Sequence, residues 1–478
     1  MSNPKAAARP VPDQALVDIA DYVLDFKASP QAHDAARLCL TDTLACALDA
    51  LDFPECTKLL GPVVTGTVVP HGARVPGTNY ELDPATATFS LGCMIRWLDF
   101  NDTFTAAQGS HPSDNLAGVL MVADHLSRQR VAAGREPLLI SDVLEGLIKA
   151  YEIQGCIAIE NDFQAVGIDH PILTRVASAA VLTEMLGGTR EQVINAVSNA
   201  WVDCSLAAVR HAPNTGWRKS WAAADASFSA VRLALMAVKG EMGYPTVLTA
   251  KRYGFYDARR GGKPFGFQRP YTDYVLQHSM FKFVCAGMHG QSAAECAIRL
   301  HPFVKDRIGD IERIEMHSQR ALMGIMDKSG PLHNPADRDH CAQYIVAVGL
   351  MHGRINPRDF EDEFAADPRI DALRAKTTVT EDPRYSKDFY DPDKRSSANA
   401  VQVWFKDGSS TPKMEIEYPI GHPRRRAEVA PVLRAKLEAS LERRFPPQQR
   451  QRILALCGDA PALDRTPVNK FVDAFVVA

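Results

Sequence analysis

The sequence predicts a mainly α protein, with a large all-helical domain and a smaller α+β domain. Three observations carry this. Apolar residues recur at helical spacing through most of the first 245 residues. Helix-start signals recur along the same stretch. Two-residue apolar/polar alternation, the mark of strands, enters only after about residue 280.

Taken in order, residues 1–12 read as a flexible arm. From Asp13 to about Leu51 the set Leu16, Ile19, Ala20, Val23, Leu24, Ala36, Leu38, Leu40 and Leu44 has helical spacing. Residues 60–82, rich in Gly, Val, Thr and Pro, read as loop with short extended pieces. Asp83-Pro84 is a helix start, because Asp accepts from orphan amides and Pro suits the first helical position. Asp142 with Glu145 reads as a capping box opening a helix to about Ile159. Pro171 to Leu186 is helical and stops at Gly187-Gly188. Thr189 with Gln192 caps the next helix, through about Val209, and Ala222 to Gly240 is helical again. Ile314 and Met316 alternate with charged neighbours. Val401, Val403 and Phe405 alternate likewise, then Asp407-Gly408, then Met414, Ile416 and Tyr418, a hairpin pattern. Residues 337–352 are helical between these strands, and Ala427 to Phe445 is a helical tail returning to the first domain. The domains are therefore residues 1–279 with 418–478, and residues 280–417.

Of the 478 residues, 46% are hydrophobic and 23% charged, as in a soluble globular protein. A formal charge of −3 leaves no basic footprint for nucleic acid, so an anionic ligand must meet a local basic cluster. None of the ten cysteines forms a C-x-x-C pair, which favours buried thiols in a reducing compartment over disulfides or an iron–sulfur cluster. The first ten residues lack an apolar signal core, and no window has the ~18 apolar residues of a membrane span. The cytoplasm is the default expectation.

The chemistry concentrates in a polar loop between two apolar runs, Asp99-Phe-Asn-Asp102-Thr103 followed by His111-Pro-Ser-Asp-Asn115. Asp99, Asp102, Thr103 and His111 supply an acid/base set, while Ser113 and Asp114 read better as caps of the next helix. His170-Pro171 repeats the His-Pro pattern at a second helix start. Arg210-His211 and Arg218-Lys219 flank a Gly turn suited to carboxylates. Lys282, between aromatics at the domain junction, precedes His289 by seven residues. The run Arg424-Arg425-Arg426 reads as a solvated face. No H-E-x-x-H, ligand-spaced Cys/His pair, Walker loop or dinucleotide fingerprint occurs, so neither metal nor cofactor is expected.

Asp99, Asp102, Thr103, His111, Arg218 and Lys219 lie among stretches that resemble the MmgE/PrpD family. The stretches are Arg96–Thr103, His111–Asn115, Ala212–Ala223, Gly240–Lys251, Asn334–Cys341 and Tyr418–His422. The resemblance implies a helical domain with an α+β lid, a homodimer, and no metal or cofactor. It further implies loss of water from 2-methylcitrate, or also citrate, to give a cis-aconitate, as in propionate breakdown. A cis-aconitate decarboxylase or isomerase, or a non-catalytic binding protein, is the alternative on this fold. The resemblance places the family's active-site Asp, Thr and His on Asp99, Thr103 and His111, with two extra residues between the last two. It places a second His on His170, a lysine on Lys282, and another at Arg218 or Lys219. The family's active-site Tyr finds no counterpart in residues 321–328. Expected proton-transfer and catalytic groups are thus His111, His170, Asp99 and Lys282. Thr103, Arg218, Lys219, Asp102 and His289 are expected to bind a tricarboxylate.

Overall fold

The computed structural model describes residues 10–202 and 215–477. The arm through residue 9, Arg210, His211 and the end of the helix expected to reach Val209 lie outside the described residues.

Long helices carry the N-terminal part. Ser29 and Pro30 split the first helical stretch into Gln14–Asp25 and Pro30–Ala50. Asp83 caps Pro84–Arg96 as expected, its carboxylate accepting from the amides of Ala85 and Thr86 at 3.0 Å. Thr189 and Gln192 form a reciprocal capping box on Arg190–Val202. The helix assigned to Asp142 begins earlier, at Ile140. Asp142 is its third residue and accepts from the amide of Leu139, while Glu145 is drawn to His33 and the amide of Ala28. Residues 60–82 hold one short hairpin, β1 (Ala73–Arg74) and β2 (Glu81–Leu82).

Strands β3 (Ile311–Ser318), β4 (Thr377–Glu381), β5 (Asn399–Phe405) and β6 (Met414–Ile416) form one sheet in the order β4-β3-β5-β6. The β5–β6 hairpin is the one read from alternation, though Tyr418 falls beyond its end. Strand β4 pairs parallel to β3 at the sheet edge, as an unexpected element. The helix expected over 337–352 is broken into Pro335–Arg338 and Ala342–His352 by a turn carrying Asp339 and His340.

Two junctions position the site. Thr103 and Met280 exchange backbone hydrogen bonds at 2.8 and 2.7 Å, tying the polar loop to the segment that bears Lys282. The amide of Phe281 donates to the carbonyl of Gly421 at 3.1 Å. Gly421 has φ +100°, and a Cβ there would meet the Phe281 carbonyl oxygen at 1.9 Å, so glycine alone fits.

The tail helix Arg426–Arg444 packs on Pro30–Ala50. Lys436, buried there, donates to Asp42 at 2.8 Å and to the carbonyl of Phe100 at 2.9 Å, next to Asp99. Lys436→Met leaves Asp42 buried and unpaired. Denaturant unfolding should show a loss of about 3–5 kcal/mol, largely restored by adding Asp42→Leu. A single variant as stable as the parent would refute this.

Candidate active site

A cavity of about 380 Å³ opens between the polar loop, the turn at Trp217–Ser220, the segment at 287–289 and residues 321–328 and 389–390. The polar loop is a hairpin. Phe104 and Ser110 exchange backbone bonds at 2.9 and 3.3 Å, and Thr103 Oγ1 donates to the carbonyl of Ser110 at 3.1 Å. The tip is pinned from both sides. The amides of Ala107 and Gln108 donate to the carbonyls of Ile159 and Ala158, and Arg395 donates to the carbonyl of Thr105 at 2.9 Å.

Asp99 is the floor. It closes the helix Pro84–Arg96 in the left-handed region at φ +49°, which Asp tolerates better than most residues. Its Oδ1 accepts from Arg96 and, at 2.8 Å, from Lys282, which also donates to the Asp99 carbonyl at 2.8 Å. Its Oδ2 faces Lys219 and His340, each at 3.5 Å, and His111 Nε2 lies 3.8 Å from Oδ1. Burial alone would raise the Asp99 carboxyl, but Arg96, Lys219 and Lys282 hold it well below its ordinary value.

His111 is largely but not fully buried on the loop wall. Its Nδ1 donates to the carbonyl of Asp102 at 2.7 Å, so Nε2 carries the lone pair on the side of Asp99. Burial, then Arg96 and Lys282, push its pKa well below the usual value, leaving a neutral imidazole at pH 7. The His170 ring packs edge-on against it at 5.5 Å. His289 also lines the cavity, and burial together with His340 and Lys282 takes it down to about 4. Gln319 donates to its Nδ1 at 3.3 Å, which leaves Nε2–H as a neutral donor.

The structure thus brings Asp99, Thr103, His111, His170, Lys219 and His289 to one cavity and places three expected residues elsewhere. Arg218 points to solvent, pairing with Asp225 at 3.3 Å and stacking on Trp221 at 4.3 Å. Successive residues of a 3₁₀ turn face about 120° apart, so Arg218 and Lys219 cannot both face inward. Asp102 is turned into the helix start, where it accepts from Tyr151 at 2.7 Å and from the amide of Ser113 at 3.2 Å. Lys282 stands behind Asp99, fully buried and off the cavity wall. Ser113 and Asp114 do not cap the next helix; Asn101 holds both side chains, at 2.8 and 2.9 Å.

Arg96, Lys328, Asp339 and His340 were not singled out from sequence. Arg96, Lys328 and His340 line the cavity, and Asp339 binds Lys219 at 2.7 Å. The last two sit in Asn334–Cys341, already conspicuous as a matching stretch. Asp99, Asp339 and His340 offer ligand atoms within 4.8 Å of one another. Arg96, Lys219 and Lys282 already engage these carboxylates, and a dication there would face three fixed positive charges.

A helical body, a small mixed sheet and a buried acid–base cavity define a class, and comparison with known proteins specifies it. The MmgE/PrpD N-terminal domain matches residues 17–268 and the MmgE/PrpD C-terminal domain residues 284–460. The chain belongs to the MmgE/PrpD family. It is 55% identical to a 2-methylcitrate dehydratase of Cupriavidus necator, over 99% of both chains. It is 54% identical, over the whole of both chains, to that of Salmonella typhimurium, and 50% identical to a mitochondrial one of Yarrowia lipolytica, over 98% of this chain and 91% of the relative.

Proposed function

We propose that the protein is a 2-methylcitrate dehydratase, a hydro-lyase that forms 2-methyl-cis-aconitate. The observation that carries this is a neutral, oriented imidazole, His111, on a cavity wall shared with Arg96, Lys219 and Lys328. Dehydration removes a proton from the carbon beside a carboxylate, so negative charge builds on a group already charged. Fixed cations and N–H donors stabilise that charge. Arg96, Lys219 and Lys328 grip the carboxylates, and Thr103 and the His289 Nε2–H bond to the substrate. His111 Nε2 takes the proton, and His170 packs behind its ring and fixes its angle. Asp99 holds the cations in register. Residues 280–417 act as a lid over residues 1–279 and 418–478, shutting out water.

The full-length identity to 2-methylcitrate dehydratases supports this over a decarboxylase. No helix of the described residues is long and apolar enough to cross a membrane. We further propose a cytoplasmic homodimer, on the family resemblance and the buried thiols. Light scattering reading one copy would remove the dimer.

The test is turnover. Protein dialysed against EDTA is expected to convert 2-methylcitrate with rising near-UV absorbance and no release of CO2. Activity lost to EDTA and restored by a divalent metal would overturn the metal-independent reading. CO2 release from cis-aconitate instead would overturn the dehydratase reading.

A further inference from the structure

Elimination needs a second proton transfer, because hydroxide is a poor leaving group and must depart as water. His111 accepts the first proton, and His170 lies beside it on the same wall. The opposite oxygen of Asp99 faces another imidazole. His340 Nε2 lies 3.5 Å from Asp99 Oδ2, as His111 Nε2 lies 3.8 Å from Oδ1, so the two rings flank one carboxylate.

The two imidazoles differ in what holds Nδ1. For His111 it is a neutral carbonyl. For His340 it is the carboxylate of Asp339, at 2.5 Å. Asp339 also accepts from Lys219 at 2.9 and 2.7 Å, so it is ionised and can only accept, and His340 Nδ1 must carry the proton. A carboxylate behind an imidazole stabilises the imidazolium, whereas a carbonyl does so weakly. Paired groups whose surroundings separate their proton affinities divide into acid and base.

We propose, on the dehydratase reading above, that His340 is the general acid that protonates the departing hydroxyl, and that Asp339 is its positioning residue. His111 Nε2 removes the proton from the carbon next to the carboxylate, and the freed electron pair forms the carbon–carbon double bond. The C–O bond breaks with its pair going to oxygen, which takes the proton from His340 Nε2 and leaves as water. His111 ends protonated and His340 neutral, and proton exchange resets them.

The groups facing His340 are Asp99, Lys219, Asp339 and His289. Without substrate, burial and Lys219 hold the ring below its ordinary value against the pull of Asp339 and Asp99. A bound tricarboxylate adds negative charge beside it and favours uptake of the proton, so the acid is loaded by its own substrate.

The experiment compares 2-methylcitrate with its analogue carrying fluoride in place of the tertiary hydroxyl. Fluoride leaves without a proton, so it bypasses the acid but still needs the base. His340→Gln is expected to lower kcat on 2-methylcitrate about 10²–10⁴-fold, and fluoride elimination far less. Asp339→Asn should shift the alkaline fall of kcat/KM to lower pH, because the ring loses its stabilising charge. Equal losses on both substrates would make His340 structural and overturn the proposal, as would an unchanged kcat. An inactive parent would overturn the dehydratase reading, and this assignment with it. An active parent with an indifferent His340→Gln overturns the assignment alone.

Discussion

His111→Asn is expected to lower kcat by about 10²–10⁴-fold, the range for loss of a positioned general base. Asparagine is the informative replacement, because its amide N–H can still donate to the Asp102 carbonyl that His111 Nδ1 bonds at 2.7 Å. The hairpin from Phe104 to Ser110 and the turn at Pro112 then keep their supports. What vanishes is the Nε2 lone pair. Thermal unfolding should therefore match the parent while turnover falls. The fluoride analogue should be lost equally, since its elimination needs the same proton removed. Exchange of that proton with deuterated solvent gives a second reading, and the variant should show none. Turnover within about threefold of the parent would remove His111 from the mechanism.

This loop was legible because its composition contradicts its setting. Three carboxylates, a hydroxyl and an imidazole lie between runs apolar enough to be core, so burial of Asp99 follows from the neighbours. The helices were legible for the same local reason, periodicity and caps. What escaped depends on which way a side chain turns. Asp102 and Asp99 look equivalent in sequence, yet one serves a helix start and the other a cavity. Arg218 and Lys219 differ only by one step of a 3₁₀ turn. Asp339 and His340 were not singled out, because the packing that buries them comes from distant segments. The amide of Gly287 donates to the Asp339 carbonyl at 2.9 Å, and the Lys219 side chain covers the carboxylate. Strand β4, Thr377–Glu381, has one buried position and lies at the edge, too weak a pattern to stand out.

Lys282→Met should cost about 3 kcal/mol of stability and about 10²-fold in kcat/KM, without touching the cavity wall. Lys282 is fully buried and spends two bonds on Asp99, one to its carboxylate and one to its carbonyl. The second bond holds the left-handed turn at φ +49°, a conformation that is costly for a residue with a side chain. Arg96 and Lys219 still neutralise the carboxylate in the variant, which places the stability loss at the lower end for a broken buried pair. Activity suffers as well, because Asp99 sets the positions of Lys219 and His340. Raising the pH should imitate the substitution. Burial lowers the Lys282 ammonium to about 8, Asp99 opposing and Arg96 assisting. Above that pH kcat/KM should fall with one additional power of proton concentration, and Lys282→Met should lack this added steepness. The sign for stability is opposite. The unfolded chain holds this proton up to its ordinary value of 10.5, so between about 8 and 10.5 unfolding takes a proton up. This group's contribution to stability therefore grows with pH while activity declines. Activity lost only where the protein unfolds would refute the role assigned to Lys282, because a titrating ammonium behind Asp99 must lower turnover in a molecule that is still folded.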